Sequence, residues 1–271
     1  MRDQRQGDDD EYKRKHKAVV VALSIVARAL DGNYVNLGVF ELYEDHALRD
    51  MLEIATRLSF AAPLEDVFAF PKLATSYFAF YEVLFREHIS FILTKENTGV
   101  LATLLAAFRD GLEATASNLA AASAAALDHL ATFRFTHQSK PNVRAVQALD
   151  AHLNARPQLL TQLLATVLNQ LLFAPPASHW VLTRPVLPLM LVRSFLFSFF
   201  TFFSQVDERG FLDYRDDLLA SQQTPELRHR LSEAFTTLVS NVNRNLEPSN
   251  RDHFTQALST FRHEVRQFLV F

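Results

Sequence analysis

Apolar residues recur along this chain at three- and four-residue steps, the spacing that puts one stripe of side chains on one face of an α-helix. In the first such run Val19, Val20, Leu23, Val26, Ala27 and Leu30 form the stripe, and Asp31-Gly32 supplies a stop, predicting a helix over 12–30. A second run over 45–58 carries Leu48, Met51, Leu52 and Ala55 on one face and breaks near Pro63. Pro71 suits the first turn of a third helix, whose wide apolar face holds Leu73, Tyr77, Phe80, Tyr81, Leu84 and Phe85. Further helices are predicted over 96–113, 117–135, 143–154 and 157–173, separated by turn signals such as Ser139-Lys140-Pro141-Asn142 and Arg156-Pro157. The last two are predicted over 225–246 and 251–271, joined by Glu247-Pro248-Ser249-Asn250, with Asn250 as N-cap of the final helix. No strand-like alternation survives anywhere, so the expected fold is all-α. About ten helices with short joints and no central cofactor pocket predict an α-solenoid of antiparallel, HEAT-like hairpins over a compact bundle.

Composition narrows the chemistry. The 271 residues are 49% hydrophobic and 21% charged, enough apolar material for a continuous core. The 6 glycines are not spaced as a phosphate cradle, which excludes a nucleotide-binding loop. A formal net charge of -3 with scattered Lys and Arg lacks the basic stripe that nucleic acid requires. Cysteine is absent, which removes disulfides and thiolate metal sites and suits a reducing, intracellular setting. Residues 1–10, polar and acidic, do not read as a secretory signal and are expected to be a disordered lead-in.

Catalytic and metal chemistry finds no footing. Among 10 histidines there is no His-Glu-x-x-His, and the pairs Glu87-His88 and Asp128-His129 are sequence neighbours that point to different helix faces. No Gly-x-Ser-x-Gly elbow presents a nucleophile. The chain is therefore expected to be no enzyme, with no cofactor and no metal. The aromatic group Tyr77, Phe78, Phe80, Tyr81 and Phe85 reads as core packing before a ligand cage. Tyr34, Val35, Phe40 and Tyr43 lie in a connector where a solvated loop would be polar. Either that loop folds back onto an adjacent groove, the favoured reading, or it meets a protein partner. Charged positions Asp213, Arg215, Asp216 and Asp217, and Arg251, Asp252, Arg262, Glu264 and Arg266 on the last helix, are candidates for a charged edge that steers partners. The contact candidates are accordingly Tyr34, Phe40, Tyr43, Asp213, Arg215, Arg251, Asp252 and Arg262.

Four separated segments carry a resemblance. GNYVNLGVFELYEDHAL (Gly32 to Leu48) is not explained by helix periodicity; PKLATSYFAFYEVLFREHISFI (Pro71 to Ile92) follows. Val167 to Asn169 with Phe173, Trp180 and Arg184-Pro185 come next, and then NRDHFTQALSTFRHEV (Asn250 to Val265). In that order they resemble the C-terminal part of the exportin-7 family of nuclear transport receptors, within the importin-β superfamily. The resemblance covers nearly everything from Glu11 onward, so 11–271 reads as a C-terminal HEAT-repeat segment. Two departures stand out: Glu44, where the family tends to have glycine, and the alanine-rich run Ala114 to Ala126.

The resemblance implies a superhelix that carries protein cargo through nuclear pores under control of Ran-GTP, shuttling between nucleus and cytoplasm. Its implied partners are Ran-GTP, protein cargo and nucleoporins. The amino-terminal repeats that chiefly grip Ran in this superfamily have no counterpart here, so the chain reads as a truncated product or the tail of a larger receptor. A scaffold that keeps the fold without transport is the alternative.

Pro185 to Phe203, PVLPLMLVRSFLFSFFTFF, is apolar enough to raise a membrane span. Arg193 in mid-run, two prolines, and no flanking basic clusters or aromatic belts argue against insertion. Removing 192–205 restores an uninterrupted likeness to the family. Val-Arg can be written as an intron's start, the Phe/Leu/Ser run as a pyrimidine tract, and Gln205 as CAG. These fourteen residues are thus expected to be a retained intron, with a helix extension packed under neighbouring repeats as the alternative.

Overall fold

The computed structural model describes residues 14–31, 39, 42–94, 98–174, 179–192, 209–222, 224–240 and 242–268, and all regular structure among them is helical. The chain divides into two compact units, 1–89 and 90–271.

In the first unit α1 (Lys17–Asp31) and α2 (Ala47–Phe60) pair, the short α3 (Leu64–Ala69) follows, and α4 (Pro71–Glu87) packs on α1 and α3. Pro71 starts α4 as expected, its missing N–H falling where a helix leaves donors unsatisfied. α4 is buried on most of its circumference: Leu73, Tyr77, Phe78, Phe80, Tyr81, Leu84 and Phe85 are each at most 2% exposed. The aromatic group is therefore core, with Tyr77 and Tyr81 ring centroids 4.8 Å apart. Truncating a ring such as Phe80 to alanine would cost about 3–5 kcal/mol.

The direction of packing follows from the cross-links. His16 lies on Phe70, the Ser24 and Ser76 hydroxyls are 2.9 Å apart, and Arg86 pairs with Asp31. Partner numbers rise together, so α1 and α4 run parallel. The intervening α2 packs on α1 and is tied to α4 by Ser59 and Tyr81, whose hydroxyls are 2.5 Å apart. Like helices of successive hairpins running parallel is a feature of stacked HEAT-type repeats.

At the start of the second unit lies α5 (Ile89–Thr94), then α6 (Thr98–Glu113) and α7 (Ser117–Thr136), an extensively packed hairpin. There follow α8 (Arg144–Ala155), α9 (Leu159–Phe173), α10 (His179–Thr183), α11 (Val186–Leu191), α12 (Arg209–Ala220), α13 (Pro225–Val239) and α14 (Pro248–Phe268). The alanine-rich run has a structural reason. α7 packs on α6, α10 and α11, and Ala120, Ala122, Ala124, Ala126 and Ala131 are buried on more than one side, where larger side chains would hold the neighbours apart. α9 occupies the other centre, meeting α6, α11, α12 and α14. Gly210 of α12 sits so close to α9 that a Cβ there would lie 2.7 Å from the Thr161 hydroxyl.

Several predicted boundaries are corrected. The region after Pro63 and the stretch Ile89–Thr94 form short helices that periodicity did not resolve, and α12 was not predicted as a helix. α13 ends at Val239, seven residues before the predicted 246. α14 begins at Pro248, so Asn250 lies inside its first turn and is not the N-cap. Its side chain instead turns back on the preceding loop: Nδ2 donates to the Asn243 and Asn245 carbonyls, each at 2.8 Å, and Oδ1 accepts from the Asn243 N–H at 3.0 Å.

Val186–Leu191, the opening of the long apolar run, is a helix with all six residues buried against α7, α9 and α10. Among the described residues no helix is long and apolar enough to cross a membrane. The expected lead-in over 1–10 and all of the expected insertion except Val192 lie outside the described residues.

Candidate protein-contact surfaces

The charged residues of the last helix are used chiefly to hold helices together. Arg251 Nη1 donates to the Asp128 carboxylate at 2.9 Å and Nη2 to the Thr132 hydroxyl at 2.6 Å, joining α14 to α7. Arg262 Nε donates to the Leu171 carbonyl and Arg266 Nη2 to the Ala174 carbonyl, both at 2.8 Å. Those carbonyls belong to the end of α9, where a helix leaves acceptors unsatisfied and carries partial negative charge. Two cations from α14 thus cap α9, and the rising partner numbers set the two helices parallel. Burial and the neighbouring Arg266 lower the pKa of Arg262 from its ordinary value.

Asp252 stands exposed beside Arg251. On α12, Asp213 is exposed and Arg215 half-buried, its Nε donating to Asp216 at 2.9 Å. Between them Tyr214 turns inward and donates to Asn169 Oδ1 at 2.8 Å; burial pushes its phenol well above the usual range. The two charged edges predicted from sequence therefore divide: Asp213 and Asp252 are exposed, whereas half-buried Arg251 and Arg262 are hydrogen-bonded to neighbouring helices and half-buried Arg215 to Asp216 beside it.

Tyr34 and Phe40 lie outside the described residues. Tyr43 is 80% exposed and Leu42, which the sequence reading did not single out, 81%. Tyr43 therefore does not plug a groove. Glu44, next in the chain, has φ of 58°, the left-handed region that favours glycine. Asp45 accepts from the Ala47 N–H at 2.8 Å and directs the chain into α2. Val21 and Ile25, 48% and 63% exposed on the outer face of α1, were also missed. The signal was available, since both lie off the Leu23, Ala27 and Leu30 stripe.

Buried polar groups elsewhere are likewise structural. Arg134 of α7 donates to Asp150 of α8 at 2.5 Å, with little solvent on either side chain. His152 is buried with the Arg156 guanidinium 3.3 Å from Nε2. Burial first and that positive neighbour second lower its pKa. Among the described residues no group of His, Cys, Asp or Glu could hold a metal ion.

Stacked helical hairpins, with most long-range polar ties running from helix to helix, define a HEAT-type helical-repeat protein. No family model matches the chain, and no solved structure matches it significantly. Individual proteins do. Exportin-7-B of Xenopus laevis is 33% identical over 261 residues, 94% of this chain and 22% of that protein. Ran-binding protein 17 of Homo sapiens is 29% identical over 270 residues, 96% of this chain and 23% of that protein. Exportin-7 of Dictyostelium discoideum is 24% identical over 257 residues. The chain is thus exportin-7-like along almost its whole length and spans less than a quarter of the length of these relatives.

Proposed function

We propose that this chain is the C-terminal HEAT-repeat segment of an exportin-7-like nuclear transport receptor, offering a surface to protein cargo whose capture depends on Ran-GTP. One observation carries the reading: similarity over 94–96% of the chain to proteins named for export and for Ran binding. The helical stack supports it, because like helices repeated along a stack expose a long row of side chains to a macromolecule. Cargo and nucleoporins are the partners, Ran-GTP is gripped chiefly by repeats outside this segment, and the complete receptor shuttles between nucleus and cytoplasm. Exposed Tyr43, Asp213 and Asp252 and half-buried Arg215 are the contact residues proposed among the described positions, with Tyr34 and Phe40 near Tyr43 in sequence. Arg251 and Arg262 act at one remove by fixing α14.

The test is affinity capture of the endogenous protein through an antibody to this segment, with Ran locked in its GTP or GDP form. Export predicts a set of bound proteins retained with Ran-GTP and lost with Ran-GDP. Identical sets under both conditions would overturn transport and favour a scaffold.

A further inference from the structure

The joint between α12 and α13 ends in Thr224-Pro225, and no other serine or threonine of the 271 residues is followed by proline. Thr224 is exposed, and its backbone is extended at φ -106° and ψ 143°. Its hydroxyl caps α13 only loosely, accepting from the Leu227 N–H at 3.3 Å, longer than is usual. Both residues suit a helix start, so the pair alone assigns nothing. Its surroundings add the rest. Arg228, one turn into α13 and exposed, reaches back across the joint, where Nε donates to the Gln222 carbonyl at 2.9 Å. An accessible hydroxyl on extended backbone thus has a guanidinium held on the carbonyl two residues before it.

From this arrangement we infer that Thr224 is a phosphate acceptor for a proline-directed protein kinase. In the transfer its hydroxyl oxygen bonds to the γ-phosphorus of ATP as the bond to the β–γ bridging oxygen breaks. ADP leaves, and the hydroxyl proton passes to the kinase's catalytic carboxylate. Proline has no N–H, so a kinase cleft without an acceptor at the next position admits Thr224; at every other hydroxyl of the chain it would leave that donor unpaired. Entry to the cleft needs only the first turn of α13 to open. Pro225 and Glu226 are exposed, Leu227 is half-buried, and Leu231 is the first fully buried residue of the helix, so this end frays at little cost. Joints lie off the faces through which hairpins stack, so a longer stack leaves Thr224 accessible. The product carries about −1.5 to −2 charge at neutral pH, at a helix end whose backbone N–H groups and dipole favour an anion. Arg228, four residues on, lies on the same side of the helix. The phosphate therefore draws the guanidinium from the Gln222 carbonyl and fastens the start of α13. This site goes beyond the transport reading and depends on neither Ran nor cargo.

The test is incubation of the full chain with a cyclin-dependent kinase and γ-labelled ATP, the site being mapped by mass spectrometry. Label should enter the native chain at Thr224. Pro225→Ala leaves the hydroxyl and its cap in place and should cut incorporation about tenfold or more. Thr224→Ala should abolish it. Circular dichroism establishes that both variants fold. Phosphorylation of the native chain should raise its thermal midpoint by about 2 °C. In the phosphorylated Arg228→Gln chain that rise should be largely gone. No incorporation into the native chain, label confined to other residues, or equal labelling of Pro225→Ala would each overturn the site. A midpoint that stays or falls on phosphorylation, or a rise that survives Arg228→Gln, would overturn the role given to Arg228.

Discussion

Arg251 and Asp128 lie 123 positions apart in sequence and 2.9 Å apart in space, with the Asp128 side chain only 13% exposed. The pair joins the last helix to the alanine-rich helix across the second unit. Hydrogen bonds to charged groups contribute about 1.5–3 kcal/mol. Asp128→Ala is expected to destabilise the unit by about 2 kcal/mol in urea unfolding. A double-mutant cycle with Arg251→Met should return a coupling energy of about 1 kcal/mol or more; strict additivity would mean the contact contributes nothing.

Glu44 occupies a left-handed backbone position at φ 58°. An ordinary L-residue there costs about 1–2 kcal/mol, while glycine costs about 0.5–1 kcal/mol of unfolded-chain entropy. Glu44→Gly should therefore raise stability by about 0.5–1 kcal/mol, and Glu44→Val should lower it, both read from the denaturation midpoint.

Gly210→Ala reverses the usual rule. Alanine is normally the better helix former of the two, but at Gly210, in the first turn of α12, the new Cβ would meet the Thr161 hydroxyl at 2.7 Å. The variant should lose about 1–3 kcal/mol through overpacking. Adding Thr161→Ala removes the obstructing oxygen and should recover part of that loss in the thermal midpoint.

His152 makes the fold sensitive to acid. Its pKa is lowered in the folded chain by burial and by Arg156, so below about pH 6.5, the ordinary histidine value, the unfolded chain takes up the proton first. Stability is then intact at neutral pH and falls as pH drops through the unfolded and then the folded pKa. His152→Phe should flatten that part of the pH–stability curve. An unchanged slope would show that the histidine charges without cost where it sits.

Asp150→Ala should cost about 3–5 kcal/mol by leaving the Arg134 charge without its carboxylate in the interior. Replacing both residues by apolar ones of similar size, Arg134→Met with Asp150→Leu, should recover most of it. Equal losses in the single and double variants would mean that the site cannot be repacked.

The all-α class and the main long helices were legible because apolar periodicity is local: Pro71 to Phe85 announces both the start of α4 and its buried side. Glu44 was legible in another way, since its departure from glycine marked a backbone position whose geometry then proved left-handed. Short helices such as Leu64–Ala69 were not legible, because two turns hold too few apolar positions to define a stripe. Nor was the use of Arg251 and Arg262. Charge at a helix surface looks the same in sequence whether it faces water or the carbonyls at another helix's end, and only the fold brings Leu171 and Asp128 within reach. Asn250 misled for a related reason: its side chain can cap a helix or brace a loop, and Pro248 had already fixed where α14 begins.

The alanines buried along α7 set a ceiling on volume. Each holds neighbouring helices at a spacing that one additional methylene would widen, and the strain would pass along rigid rods instead of being absorbed locally. A larger side chain at Ala122, Ala124 or Ala126 therefore has nowhere to go in this chain, while an exposed position such as Thr236 on α13 is bounded by solvent.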